Sequence, residues 1–287
     1  MSNVTDSFFH IGEQHVQSGL PCEDYALAHA HGDMAYAIVS DGCSSGGRTD
    51  VGARVLAHAT ARALLLEWEQ PFSQVNDVFL KAIEMRTECI LGSGRELLAL
   101  DTQDMLATSV LAMVSPRGGC ARVFGDGVVG RMYKDGTAVL SLFSWHENMP
   151  YYPAYTQGAL EAFVSAHGGD ISSVRLTEER VTIRDTVCTT ETIPYSLGEG
   201  IRGVSILIPE HEISTLVALA VFSDGVTQIE GVHWVDTVQQ FLAFRSTTGA
   251  FVKRRMIRQL KEYVRSSRRS FDDIAGAVIV QSGDHGS

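Results

Sequence analysis

The sequence predicts an α+β fold in which antiparallel sheet layers carry helix pairs on their outer faces. Strand-like runs between 107 and 143 are joined by turns too short for parallel crossovers. Helical runs come in pairs, 50–68 with 74–90 and 234–244 with 250–266, rather than singly between strands. That order disfavours a doubly wound parallel sheet. No linker-like shift in composition divides the 287 residues, so one domain is expected over 1–287.

Residues 33–40 (DMAYAIVS) are an apolar run of strand length. A Gly/Ser loop follows from Gly42 to Gly47. Residues 50–68 are rich in Ala and Leu, with Thr49 or Asp50 placed to cap the helix start. Val75, Val78, Phe79, Ala82 and Ile83 recur at helical spacing and predict the second helix, 74–90. Strands at 107–115 and 119–125 are expected to pair across Pro116 to Gly118, and those at 128–134 and 137–143 flank the hairpin dipeptide Asp135-Gly136. From about 145 to 203 the pattern weakens. Trp145, Tyr151, Tyr152 and Tyr155 open this stretch and Gly198, Gly200 and Gly203 close it; strands and short helices forming an inserted flap are expected. A clean strand returns at 216–222, then the second helix pair, then a last strand at 275–281.

Composition narrows the function. Lys and Arg number 23 against 34 Asp and Glu, a net charge of −11, which argues against a general nucleic-acid binder and against adhesion to anionic lipid. No apolar run reaches membrane-spanning length, and the first ten residues contain no Lys or Arg, unlike a signal peptide. Cys22, Cys43, Cys89, Cys120 and Cys188 are odd in number and form no CxxC pair, against a disulfide framework or a thiolate zinc site. A reduced, cytoplasmic protein is expected.

The chemistry-bearing residues are carboxylates at the ends of apolar runs. Asp41 follows AYAIVS and Asp224 follows LVALAVFS, both within Ser-Asp-Gly. Asp272 and Asp273 precede IAGAVIV, and Glu23-Asp24 precedes YALAHA. Clustered carboxylates repel one another unless a cation neutralises them, and an all-oxygen donor set favours Mg²⁺ or Mn²⁺. Two such ions sharing an aspartate acidify water and clamp a phosphoryl group. Asp-Gly is also a common turn dipeptide, the simplest reading of Asp135-Gly136 and a sufficient one for Asp126-Gly127. On spacing alone, turns and a metal site both stay open.

Four blocks taken together resemble the type 2C, metal-dependent serine/threonine protein phosphatases, in particular a bacterial branch. They are GLPCEDYA (19–26), AIVSDGCSSGGRTDVGARV (37–55), MLATSVLAMV with VFGDGVVGRM (105–132), and LAVFSDGVTQIE with SFDDIAGAVIV (219–230 and 270–280). The resemblance implies an α–β–β–α sandwich of two antiparallel sheets flanked by helix pairs, with two Mn²⁺ or Mg²⁺ ions between the sheets. It implies that Asp41 bridges the ions, that the Gly42 carbonyl binds one, and that Asp224 and Asp272 ligate the other. Glu23 and Asp24 would act nearby, partly through bound water, and Asp104 is the nearest acid to a third-ion position. A metal-bridging hydroxide would attack phosphorus directly, on a phosphoserine or phosphothreonine protein made by a cognate kinase.

The chain departs from that pattern at the phosphate clamp. Gly19 stands where many relatives carry Arg, and His15 or Arg48 would have to substitute. Cys43 stands where some relatives have a proton-donating His. The segment CSSGGR (43–48) is one residue short of a thiolate phosphatase loop. Two rival readings remain: a phosphatase-like binding module that hydrolyses little, and a two-metal hydrolase of small phosphoesters. Residues 251–270 carry eight Lys and Arg against Glu262 alone, which reads either as a solvated helix face or as a dock for an acidic or phosphorylated partner.

Overall fold

A computed structural model of the chain describes residues 3–72, 74–170, 175–185, 187–195 and 203–281. The elements begin with β1 (Asn3–His10), α1 (Glu13–Ser18), β2 (Tyr25–His31) and β3 (Met34–Ser40). The first helix pair follows, α2 (Thr49–Trp68) and α3 (Asp77–Leu97). Then come β4 (Ser109–Ser115), β5 (Gly118–Phe124), β6 (Gly127–Tyr133), β7 (Ala138–Trp145), α4 (Leu160–Ala166), β8 (Leu176–Arg184), β9 (Val187–Tyr195) and β10 (Val204–Ile208). The chain closes with α5 (Glu210–Ile213), β11 (Leu216–Phe222), the second pair α6 (Trp234–Leu242) and α7 (Phe251–Arg265), and β12 (Ile274–Gln281). One sheet has the order β1-β12-β11-β6-β7-β8-β9 and the other β10-β5-β4-β3-β2. Every pairing in both is antiparallel.

Side-chain alternation builds four layers from these two sheets. On β3, Ala35, Ala37 and Val39 face the other sheet, while Met34, Tyr36 and Ile38 lie under α2 and α3 with Leu64, Phe79 and Ile83. On β11 and β12, Leu219, Val221, Ala277 and Ile279 point inward, while Ala220, Phe222 and Val278 lie under α6 and α7 with Phe241, Phe251 and Met256. A strand covered on both faces needs apolar residues at every position, which is why β3 and β11 read as unbroken runs rather than as alternation. The result is an α–β–β–α sandwich flanked by helix pairs.

Three local expectations change. The run 107–143 is not one meander: β4 and β5 belong to the five-stranded sheet, β6 and β7 to the seven-stranded one. The chain crosses at Gly125-Asp126-Gly127, where the glycines take φ of +83° and +132°. A side chain at Gly125 would meet Thr108, and one at Gly127 the Phe222 carbonyl, so both the backbone angles and the close approach require glycine. Neither Thr49 nor Asp50 caps α2; Arg48 holds the cap position without a side-chain bond. The second helix starts later and runs seven residues further than 74–90 suggests, to Leu97: Asn76 caps it by accepting from Phe79 N at 3.1 Å, and fully buried Leu91 anchors the extension.

Residues 145–195 do contain short helices and strands. β8 and β9 lengthen the seven-stranded sheet beyond β7. Tyr151 and Phe163 join Trp145 in the core between the sheets, and Gln157 reaches over to the Glu88 carbonyl on α3. Gly198 and Gly200 of the expected glycine-rich closure lie outside the described residues. Among the described residues no helix is long and apolar enough to cross a membrane.

Candidate active site

Register alone carries the strand-end acids to one edge of the sandwich. Tyr25 sits opposite Ser40, Val39 opposite Val110, and Ser109 opposite Phe124. In the other sheet Phe222 faces both Val128 and Gly276, and His10 faces Ile274. The start of β2, the end of β3, the β5–β6 crossing, the end of β11 and the start of β12 therefore meet there. They bring Asp24, Asp41, Asp126, Asp224 and Asp272 together.

These five carboxyls perturb one another. Burial first, then the charges of Asp24, Asp224 and Asp126, hold the Asp41 carboxyl well above the usual range. Burial and Asp224 do the same to Asp126, and burial with Asp273 and Asp224 to Asp24. Asp224 and Asp272 are raised as well, chiefly by burial. The Asp41 carboxyl lies against those of Asp224 and Asp24: the contact with Asp224 raises it further, and the contact with Asp41 lowers the other two. Among the described residues none of the five ion-pairs with a Lys or Arg.

Neutral groups fix the cluster in place. Ser223 Oγ donates to Asp24 Oδ2 at 2.6 Å and accepts from Ala275 N at 2.8 Å, tying β11, β12 and the start of β2 together. Thr108 Oγ1 accepts from Asp41 N at 3.0 Å. Gln228 Nε2 donates to Asp272 Oδ2 at 2.7 Å. Gly42 bridges to Ala107, and a Cβ there would stand 2.8 Å from the Thr49 carbonyl, so α2 starts close behind Asp41 only because residue 42 has no side chain.

Two further acids, Asp273 and Glu23, are already engaged. Asp273 accepts from Gly12 N and Glu23 N, both at 2.6 Å, and lies 2.9 Å from His15 Nδ1. Glu23 lies 3.5 Å from His15 Nε2 and accepts from Thr49 Oγ1 at 3.1 Å. His15 is thus buried between two carboxylates and presents no face to a substrate phosphate, contrary to the clamp role expected of it. Arg48 likewise spends its guanidinium on Asp104, at 2.8 Å, and its backbone N–H on the same carboxylate, at 2.7 Å. Those bonds pull the Asp104 carboxyl down to about 2 and occupy the oxygens that a third ion would need. The CSSGGR segment therefore holds no arginine over the Cys43 thiol.

Four contributors went unread in the sequence. Asp126 carried the same signal as Asp41, an Asp-Gly closing an apolar strand, but so did the simple turn at Asp135. Ser223 and Gln228 flank Asp224 without any chemical signature of their own. Tyr152 is buried against Cys43, with which its hydroxyl is hydrogen-bonded, and lies within reach of the Asp126 and Asp41 charges, all of which raise its pKa.

The donor set fits hard divalent cations: five carboxyls, no thiolate, no imidazole and no basic side chain to neutralise them. As the side chains stand, no group of three or more His, Cys, Asp or Glu among the described residues is arranged around a single ion.

Comparison with known proteins now adds the family. The family model described as protein phosphatase 2C matches residues 11–265. No curated protein sequence matches the chain. Among solved structures, the fold is similar to the serine/threonine phosphatase Stp1 from Staphylococcus aureus, at 10% identity and a TM-score of 0.54, covering 99% of this chain and 96% of that one. It is similar to the Mycobacterium tuberculosis serine/threonine phosphatase PstP/Ppp, at 12% identity and a TM-score of 0.54, over 99% of this chain and 100% of that one. It is also similar to the S. agalactiae serine/threonine phosphatase, at 13% identity and a TM-score of 0.53, over 98% and 100%. The chain belongs to the protein phosphatase 2C family. It is accordingly a metal-dependent phosphoprotein phosphatase.

Proposed function

We propose that this phosphatase hydrolyses phosphoserine and phosphothreonine in a partner protein, using two Mn²⁺ or Mg²⁺ ions held at the carboxyl cluster. The observation that carries the reading is the gathering of five acids at one sheet edge, Asp24 and Asp126 buried and the other three half-buried, with no Lys or Arg partner among the described residues. Asp41, between Asp24 and Asp224, would hold the ions together with the Gly42 carbonyl beside it. Asp224, Asp272 and the newly found Asp126 complete the inner set with Asp24. Glu23 acts from behind, through its contacts with His15 and Thr49. Asp104 and Arg48 are left out of the metal and phosphate roles because they bind each other. Bound there, the ions would acidify an attacking water and neutralise the phosphoryl oxygens.

The chain's own part is positioning and proton handling. Ser223 holds Asp24 to one rotamer, and Thr108 holds the Asp41 backbone. The raised carboxyls of the cluster would have to ionise to hold metal, which would couple occupancy to pH. Tyr152 keeps water from one side of the cluster and offers an uncharged hydroxyl near it. We take 1–287 as one domain with 145–203 as its insertion, a reading supported by the core that both sheets share. A cognate Ser/Thr kinase, a signalling role and a cytoplasmic setting follow from the reaction and from five cysteines that are all free.

The test is hydrolysis of a phosphothreonine peptide with and without Mn²⁺, for wild type and Asp41→Asn. Turnover that needs Mn²⁺ and is lost in Asp41→Asn is expected. A folded wild type that binds Mn²⁺ without turnover would favour the binding-module alternative, preference for nucleotide or sugar phosphates the small-phosphoester one. Turnover indifferent to both metal and Asp41 would sink the assignment.

A further inference from the structure

The outer face of α7 carries charge of the wrong sign for this molecule. In a chain of net charge −11, Arg254, Arg258, Lys261 and Arg265 are all exposed and recur at i, i+4, i+7 and i+11. That spacing puts four cations in one stripe roughly 16 Å long, with neighbours about 5–6 Å apart. Glu262 is the one carboxylate on the helix. None of the four forms an ion pair among the described residues. Arg254 donates only to neutral carbonyls, at Thr248 (2.7 Å) and Ser246 (3.4 Å). Beside the start of the stripe, a groove between α7 and the preceding loop is lined by Arg245, Arg254, Arg255 and Arg258, with Phe244 and Phe251 at its base and no carboxylate.

The fold aims this stripe at the catalytic edge. α7 leads through 266–271 directly into Asp272, so its Arg265 end is the end nearest the carboxyl cluster. Beyond it a second groove, lined by Val264, Arg268, Val16 and His10, runs between α7 and α1. Val16 and Val264 are 59% and 71% exposed, apolar surface that a bound chain would cover. α1 is the helix whose His15 touches Glu23 and Asp273. The groove thus lies between the Arg265 end of α7 and the helix that backs the reaction centre.

We infer that the α7 stripe docks an acidic segment of the phosphoprotein substrate and delivers its phosphorylated residue to the carboxyl edge. The inference rests on the phosphatase reading above and names the substrate class: phosphoproteins with a run of Asp and Glu away from the phosphosite. An extended chain presents alternate side chains at about 6.7 Å, so five or six residues with three or four carboxylates match the stripe. A short stripe on an otherwise acidic surface suits such a segment better than a long polyanion, which would meet repulsion beyond either end. The cations also counter the repulsion between an acidic substrate and an acidic enzyme.

The experiment compares phosphothreonine peptides that carry either a six-residue Asp/Glu tail or an isosteric Asn/Gln tail, at several linker lengths. Wild type is set against a variant with Arg254→Glu, Arg258→Glu, Lys261→Glu and Arg265→Glu, and against the milder fourfold change to Gln. The acidic tail should raise kcat/KM by about tenfold at low salt, through KM. The gain should vanish in both variants and shrink with added NaCl, while p-nitrophenyl phosphate turnover stays unchanged in all three proteins. Equal kcat/KM for the two tails in wild type, or a tail preference that survives in the variants, would overturn the inference. So would tight, stripe-dependent binding of duplex DNA or phosphatidylserine vesicles without any tail preference. Anisotropy titration with a labelled, unphosphorylated acidic peptide reads the stripe without catalysis. Stripe-dependent binding with no turnover of any substrate would leave the docking inference standing and the catalytic reading failed.

Discussion

Burying carboxyls without basic partners has a thermodynamic cost that shows at single residues. Asp126 lies in the cluster, and its charge acts on Asp41. Replacing it with Asn removes one like charge, so Asp126→Asn should raise the stability of the metal-free protein in urea unfolding. The same change should lower Mn²⁺-dependent kcat/KM by about tenfold to a hundredfold. A mere turn residue would show neither effect. The raised carboxyls also set a pH dependence. Asp24, Asp41, Asp126, Asp224 and Asp272 bind protons more tightly folded than unfolded. Metal-free stability should therefore fall as pH rises from about 4 towards their raised values. Asp104 has the opposite sign: its contribution is present above about pH 4 and is lost as pH falls towards about 2. Urea midpoints between pH 2 and 8 should give a maximum on the acid side of neutrality, and Asp41→Asn should flatten the alkaline limb.

Single turns decide where whole elements go. The crossing at 125–127 moves the chain from one sheet to the other and carries Asp126 into the site. Gly125→Ala would place a methyl group 2.7 Å from Thr108 Cγ2 at a φ of +83°. It should cost about 2 kcal/mol and weaken Mn²⁺ binding by displacing Asp126. Gly136 has a similar φ of +85° but open space around it. Gly136→Ala should cost only about 1 kcal/mol and leave Mn²⁺ affinity unchanged, as thermal melts and metal titration would show. Equal losses of Mn²⁺ affinity would mean that the crossing does not position Asp126.

For the molecule as a whole, metal and folding are linked. A cation that binds the folded cluster and not the unfolded chain stabilises by mass action. Mn²⁺ at a hundredfold over its Kd should add about 2.7 kcal/mol, or about 5 °C in Tm. Protons should be released on binding as the raised carboxyls ionise, measurable as a buffer-dependent heat in calorimetry. Asp41→Asn should show neither the Tm rise nor that release.

Much of this was legible before any coordinates. The continuous apolar runs at 33–40 and 216–222, the paired helices and the short turns determine layers and antiparallel pairing, because a twice-covered strand and a short connection admit few alternatives. The repeated strand-end Asp-Gly marks Asp41 and Asp224, because a strand terminus holds a side chain rigidly. Local pattern could not tell which Asp-Gly crosses between sheets and which merely turns, since Asp126 and Asp135 share the same dipeptide. It could not foresee that Arg48 would be spent on Asp104, or His15 on Glu23 and Asp273, because ion pairing depends on which groups meet in space. Nor could the sequence tell which end of the basic face of α7 lies nearer the site until the helix was seated on its sheet. Charge type and strand ends are written residue by residue, whereas partners are chosen only when distant segments share an edge.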